Sequence, residues 1–214
     1  MAEKKITGTV KRIAFLGGAF DPPHPGHEMM AKRVLEAHLT DLVLWVPSWA
    51  PPHKNSGNMT EFFHRLNMVK LIAEQIPGCA VSDIEARRQF DPSYSFKVMS
   101  ALAEENPDAE IQLLIGQDSL ESLHTWYCAR ELAEKFEILT LPRRADSGCS
   151  SELKLPTDFW GRELTEKLQN SLIDGEFVEI SSTNLRKELA KRENLHNIIN
   201  ADVLHYIEEN GLYR

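Results

Sequence analysis

Near-continuous apolar runs recur along this chain, each too short to cross a membrane, with helix-spaced stretches between them. The runs are "RIAFLG" (12–17), "DLVLWVP" (41–47), "CAVSDIEA" (79–86), "EIQLLIG" (110–116), "FEILTLP" (136–142) and "EFVEIS" (176–181). A strand covered on one face alternates apolar with polar; one covered on both faces is apolar almost throughout, as in a parallel sheet. Helical spacing occupies 27–38, 61–76, 94–105, 128–135, 183–192 and 200–210, the last closed by Asn210–Gly211. The alternation predicts one α/β domain with right-handed crossovers, its sheet core over about 11–181 and helices over about 182–214. Residues 143–174 break the rhythm with "RRADSGCSSELKLPTD" and a short amphipathic piece, and are expected to form a long connection or flap.

Composition narrows the function classes. Over 214 residues, 42% hydrophobic and 26% charged is ordinary for a soluble domain with a real core. No apolar run nears the roughly 20 residues that span a bilayer, and no leader pattern precedes the first strand. Cys79, Cys128 and Cys149 are widely spaced and odd in number, which suits reduced thiols in the cytoplasm. The net charge of −8, with Lys and Arg scattered among acids, speaks against nucleic acid as partner. A small anion needs only a few local donors.

Such donors concentrate in "FLGGAFDPPHPGHEMM" (15–30). In open α/β sheets ligands gather beyond the carboxyl ends of the strands, where loops enter helices. Gly17 and Gly18 are expected to let backbone approach a ligand, Pro22, Pro23 and Pro25 stiffen the turn, and Gly26 begins a helix. That helix start carries unpaired N–H groups and partial positive charge, a site for phosphate. His24 and His27 bring two more donors. The stretch contains neither GxxxxGK[ST] nor GxGxxG. Two histidines make half a zinc site, and no cysteine or acid stands at ligand spacing to complete it.

"GGAFDPPHPGH" closely resembles the GGxFDPxHxGH signature of the nucleotidylyltransferase superfamily. Further segments are similar, in family order, to its bacterial nicotinate-nucleotide adenylyltransferase branch: "PSWAPPHK" (47–54), "HRLNMV" (64–69), "VSDIEARR" (81–88), "PSYSF" (92–96), "IGQDSLESLHTWY" (115–127) and "ISSTNLRKEL" (180–189). The resemblance implies a Rossmann-like, doubly wound sheet and transfer of AMP from ATP to nicotinate mononucleotide, with Mg²⁺ arriving on the ATP. It implies ATP contacts from Gly17, Gly18, Phe20, His24, His27, Gly116, Asp118, Ser182, Thr183 and Arg186, of which His24, His27 and Arg186 are catalytic. It implies a mononucleotide site from Lys54, Ser95, Trp126 and Tyr127, with Trp126 stacking on the pyridine and the amides of Ser95 and Tyr127 holding the carboxylate. The family often has Thr where Ser95 stands.

Plainer structural readings compete at several positions. Ser182 and Thr183 suit a helix N-cap, as does Asp118. Arg65 and Lys54 suit phosphate binding or loop anchoring, and equally a plain solvated surface position. Rival functions are a related enzyme using nicotinamide mononucleotide or phosphopantetheine, a cytidylyltransferase, a non-catalytic nucleotide sensor, and a zinc-stabilised interaction domain. Pantetheine enzymes usually carry Thr at the position of His24 and lack "TWY", whereas His24, His27 and Arg186 are all present here. The chain is expected to act as a monomer or small homo-oligomer.

Overall fold

Alternate residues of each strand point to opposite faces of the sheet, and here both faces are buried. In β1 (Arg12–Gly18), Ile13 and Phe15 join one apolar cluster while Ala14 and Leu16 join the other. The computed structural model describes residues 10–51, 59–142, 153–174, 180–191 and 198–214; Lys54, Cys149 and most of the run at 176–181 lie outside them. With β2 (Leu42–Pro47), β3 (Cys79–Val81), β4 (Glu110–Gly116) and β5 (Glu137–Leu141), the strands form one five-stranded sheet in the order β3-β2-β1-β4-β5. Every pairing is parallel.

Helices cover both faces. On one lie α1 (Pro25–Glu36), α2 (Phe62–Ala73), α8 (Ser182–Ala190) and α9 (Ala201–Glu209), packing Val34, Met68, Leu185 and Val203 toward Trp45 and Leu114. On the other lie α3 (Ile84–Arg88), α4 (Ser95–Glu105), α5 (Gln117–Ser122), α6 (Ala129–Lys135) and α7 (Thr157–Gln169), contributing Ile84, Met99, Leu120, Leu132 and Trp160. This is the doubly wound arrangement. Each such side chain taken from water stabilises the fold by about 1.5–3 kcal/mol before the entropy cost of ordering it.

Three expectations change. The run at 79–86 is strand only to Val81: Ser82 Oγ accepts the Ile84 amide at 3.2 Å, and this turn starts α3 instead. The first helix begins earlier than residue 27, with Pro25 in its first turn and His24 as N-cap. Residues 143–174 are not one long connection. Trp160, Leu164 and Leu168 share the buried face of α7, which bends at Gly161 where φ is 73°. Arg130 donates to the carbonyls of Phe159 and Trp160 beside the bend.

The sheet also opens where its strand order reverses. β1 pairs with β4 only as far as Phe15↔Leu113. Beyond that, β1 continues to Gly18 beside β2, and β4 to Gly116 beside β5. Open sheets of this kind bind ligands at such a divergence, in the crevice at the carboxyl ends of the two strands, here β1 and β4.

Candidate active site

The loop leaving β1 carries the histidines into this crevice region. His24 caps α1, and its backbone N–H donates to His27 Nδ1 at 3.2 Å. An Nδ1 that accepts must be unprotonated, which places the proton of a neutral His27 on Nε2 and makes that atom a donor. The two rings stack at 3.7 Å with planes 26° apart, and Phe20 packs edge-on to His27 at 4.9 Å. His24 is 6% exposed, and its Nδ1 has no hydrogen-bond partner among the described residues. Burial pulls its pKa from 6.5 down to about 4, so it is neutral at pH 7. Stacked imidazoles suit that state, since two charged rings would repel.

A Cβ on Gly17 would fall 2.4 Å from the Phe15 ring and one on Gly18 3.3 Å from Phe20. These two glycines therefore admit their aromatic neighbours, whatever else they admit. Gly116 differs: a Cβ there would meet nothing within 4 Å. It is the N-cap of α5, with Asp118 exposed in the first turn, so the expectation that Asp118 is the N-cap is corrected.

The start of α8 is tied directly to the loop that carries the histidines. Ser182 Oγ donates to the Pro22 carbonyl at 2.9 Å, and Arg186 Nη1 to the Asp21 carbonyl at 2.6 Å. Arg186 Nη2 donates to Thr183 Oγ1 at 3.3 Å. The N-cap of α8 is Ser181, so Ser182 and Thr183 are not caps; their hydroxyls bond the loop and Arg186 instead. The starts of α1 and α8 thus converge on residues 21–24, adding their positive ends. Arg65 is an anchor: 1% exposed, it donates to the carbonyls of Ala19 at 2.7 Å and Thr60 at 2.8 Å.

Residues 15–188 match the cytidylyltransferase-like family. A nicotinate-nucleotide adenylyltransferase of Bacillus subtilis (strain 168) is 33% identical over 204 residues, spanning 95% of this chain and 99% of the relative. A probable nicotinate-nucleotide adenylyltransferase of Synechococcus sp. (strain JA-3-3Ab) is 35% identical over 205 residues and 95% of each chain. The chain belongs to the nicotinate-nucleotide adenylyltransferase family. Its fold agrees: the solved Plasmodium falciparum nicotinic acid mononucleotide adenylyltransferase complexed with NaAD matches with a TM-score of 0.72 at 19% identity, over 95% of this chain and 97% of that one.

In this nicotinate-nucleotide adenylyltransferase-family chain, the segments that carry Ser95, Trp126 and Tyr127 lie side by side. Ser95 is the first residue of α4, where an amide has no intrahelical acceptor. The rings of Tyr94 and Tyr127 stack at 4.5 Å, laying the start of α4 beside Trp126 and Tyr127. Trp126 is half-buried against the core, and Tyr127 is exposed.

Sequence reasoning assigned nothing to Asp21, Glu85 or Tyr213. Asp21 is 2% exposed inside the quoted loop, and the one acid between the glycine pair and the histidines was the available signal. Glu85, whose carboxyl burial raises above its usual range, accepts the Trp49 amide at 2.8 Å and so holds the loop leaving β2. Tyr213 had no local signal; only the fold brings it to Asp21.

Proposed function

We propose that the crevice between β1 and β4 transfers the adenylyl group of ATP to nicotinate mononucleotide, giving deamido-NAD and pyrophosphate. The curated relatives carry the nicotinate-nucleotide adenylyltransferase name over 95% of this chain. The observation that carries the assignment to this site is the pair of bonds from Ser182 and Arg186 to the loop carbonyls, which joins elements 160 and 165 residues apart.

The attacking group is the mononucleotide's phosphate monoester, largely dianionic at neutral pH because its second pKa is about 6. It needs no general base and no covalent enzyme intermediate. One of its oxygens bonds the α-phosphorus while the bond to the β-phosphate oxygen breaks, and pyrophosphate leaves with that electron pair. The protein's task is to hold two polyanions together and stabilise charge on the crowded phosphorus. His27 Nε2–H, neutral His24, the first amides of α1 and Arg186 are the donors for it, with Gly17, Gly18, Phe20, Gly116, Asp118, Ser182 and Thr183 around the ATP. Mg²⁺ enters on the ATP phosphates as part of the substrate; among the described residues, no group of three or more His, Cys, Asp or Glu is placed to hold a metal. Trp126 stacks on the pyridine, worth about 0.5–1.5 kcal/mol beyond burial. The amides of Ser95 and Tyr127 favour a carboxylate over an amide, because both are donors. Lys54, outside the described residues, completes the mononucleotide set.

Pyrophosphate release is measured with ATP against nicotinate mononucleotide, nicotinamide mononucleotide and phosphopantetheine in parallel. The highest kcat/KM is expected with the acid mononucleotide. Release with phosphopantetheine alone, or with none of the three, overturns the assignment.

A further inference from the structure

The last turn of the chain bends back into the loop that carries the histidines. α9 ends at Glu209 with Asn210 as its C-cap, Gly211 adopts the left-handed conformation at φ 62°, and the Leu212 amide returns to the Ile207 carbonyl at 3.0 Å. This stop directs Tyr213 inward against the apolar cluster that holds Leu185 of α8. Its phenol donates to Asp21 Oδ1 at 2.7 Å. Burial, then the neighbouring Asp21 carboxylate, push the phenol's pKa well above its ordinary value, so it remains a donor throughout the neutral range.

Asp21 joins that tail to the phosphate machinery. The other carboxylate oxygen, Oδ2, lies 3.8 Å from Arg186 Nη1 and 3.4 Å from the Thr60 amide. The same Arg186 nitrogen holds the Asp21 main-chain carbonyl at 2.6 Å. Released from Tyr213, a carboxylate this deeply enclosed has one fewer donor and freedom to rotate, and Arg186 loses the fixed charge beside it.

We propose that Tyr213 is a positioning residue for adenylyl transfer: its O–H fixes the Asp21 carboxylate, which in turn sets the Arg186 guanidinium at the start of α8. The proposal rests on the reading that Arg186 serves the ATP phosphates, and it concerns the ATP side whichever acceptor is used.

Tyr213→Phe keeps the ring and deletes the donor. The full-length variant is expected to lose about tenfold in kcat, the size of one hydrogen bond to a charged group, with KM for the mononucleotide unchanged. Rates are normalised to ATP-binding stoichiometry, so loss of folded protein does not count as loss of turnover. In an Arg186→Lys background the same substitution is expected to cost less than about twofold, because the group it positions has gone. An unchanged kcat in Tyr213→Phe, or an equal tenfold loss in both backgrounds, overturns the proposal. Should Tyr213→Phe fail to fold, Asp21→Asn decides: a comparable loss of kcat supports the relay, and full turnover overturns it. The acceptor comparison in the wild-type enzyme tests the functional reading separately, since its result does not depend on Tyr213.

Discussion

His24 shows how burial sets a residue's chemistry. An unfolded chain takes up a proton on this imidazole below pH 6.5, whereas the folded chain resists until about pH 4. The unfolded state therefore binds more protons within that window, and stability falls as the pH drops through it. The loss attributable to His24 is about 3 kcal/mol, present in full by pH 4 and absent above 6.5. Urea unfolding at pH 7 and pH 4 should show a shallower pH dependence in His24→Gln than in the wild type. His27 is the more direct test of catalysis. Its Nδ1 accepts the His24 amide, leaving Nε2 as donor. His27→Ala should lower kcat by about 10²–10³, the range for one preorganised donor, with modest change in KM for ATP. Steady-state pyrophosphate release checks it.

At the scale of elements, legibility followed local pattern. β1, β2, β4 and β5 stand where continuous apolar runs predicted them, because burial on both faces leaves an unbroken signature. α3 was hidden since five residues are too few to show a helical period. α7 was legible only as a short amphipathic piece because Gly161 interrupts it at φ 73° and ψ 171°, a conformation open essentially to glycine alone. A Cβ at Gly161 would meet nothing within 4 Å, so Gly161→Ala introduces backbone strain without a clash. It should destabilise the protein by about 1–3 kcal/mol, read from the denaturation midpoint, while leaving the acceptor preference intact.

At the scale of the molecule, the crevice exists because β1 and β4 are neighbours that separate at their carboxyl ends. Gly116 stands at that divergence with ordinary backbone angles of φ −83° and ψ 162° and open space where a Cβ would go. Gly116→Ala should therefore change folding stability by less than about 0.5 kcal/mol. If ATP occupies the crevice, the same methyl should raise KM for ATP by about tenfold, as an added methyl group does in a fitted site. Paired measurements of thermal unfolding and ATP saturation separate the two effects.

The amino-acid sequence by itself determined where most of the strands and longer helices lie, and that a glycine- and histidine-rich loop lies between the first strand and its helix. Those properties come from periodicity, capping and turn chemistry, all of which act between near neighbours. The strand order and the splay at Gly18 and Gly116 were decided by tertiary packing. So were the meeting of Ser182 with Pro22 across 160 residues and of Tyr213 with Asp21 across 192. The reason is physical: a buried carboxylate or carbonyl accepts whichever donor the packed helices bring to it, and no spacing along the chain encodes that encounter.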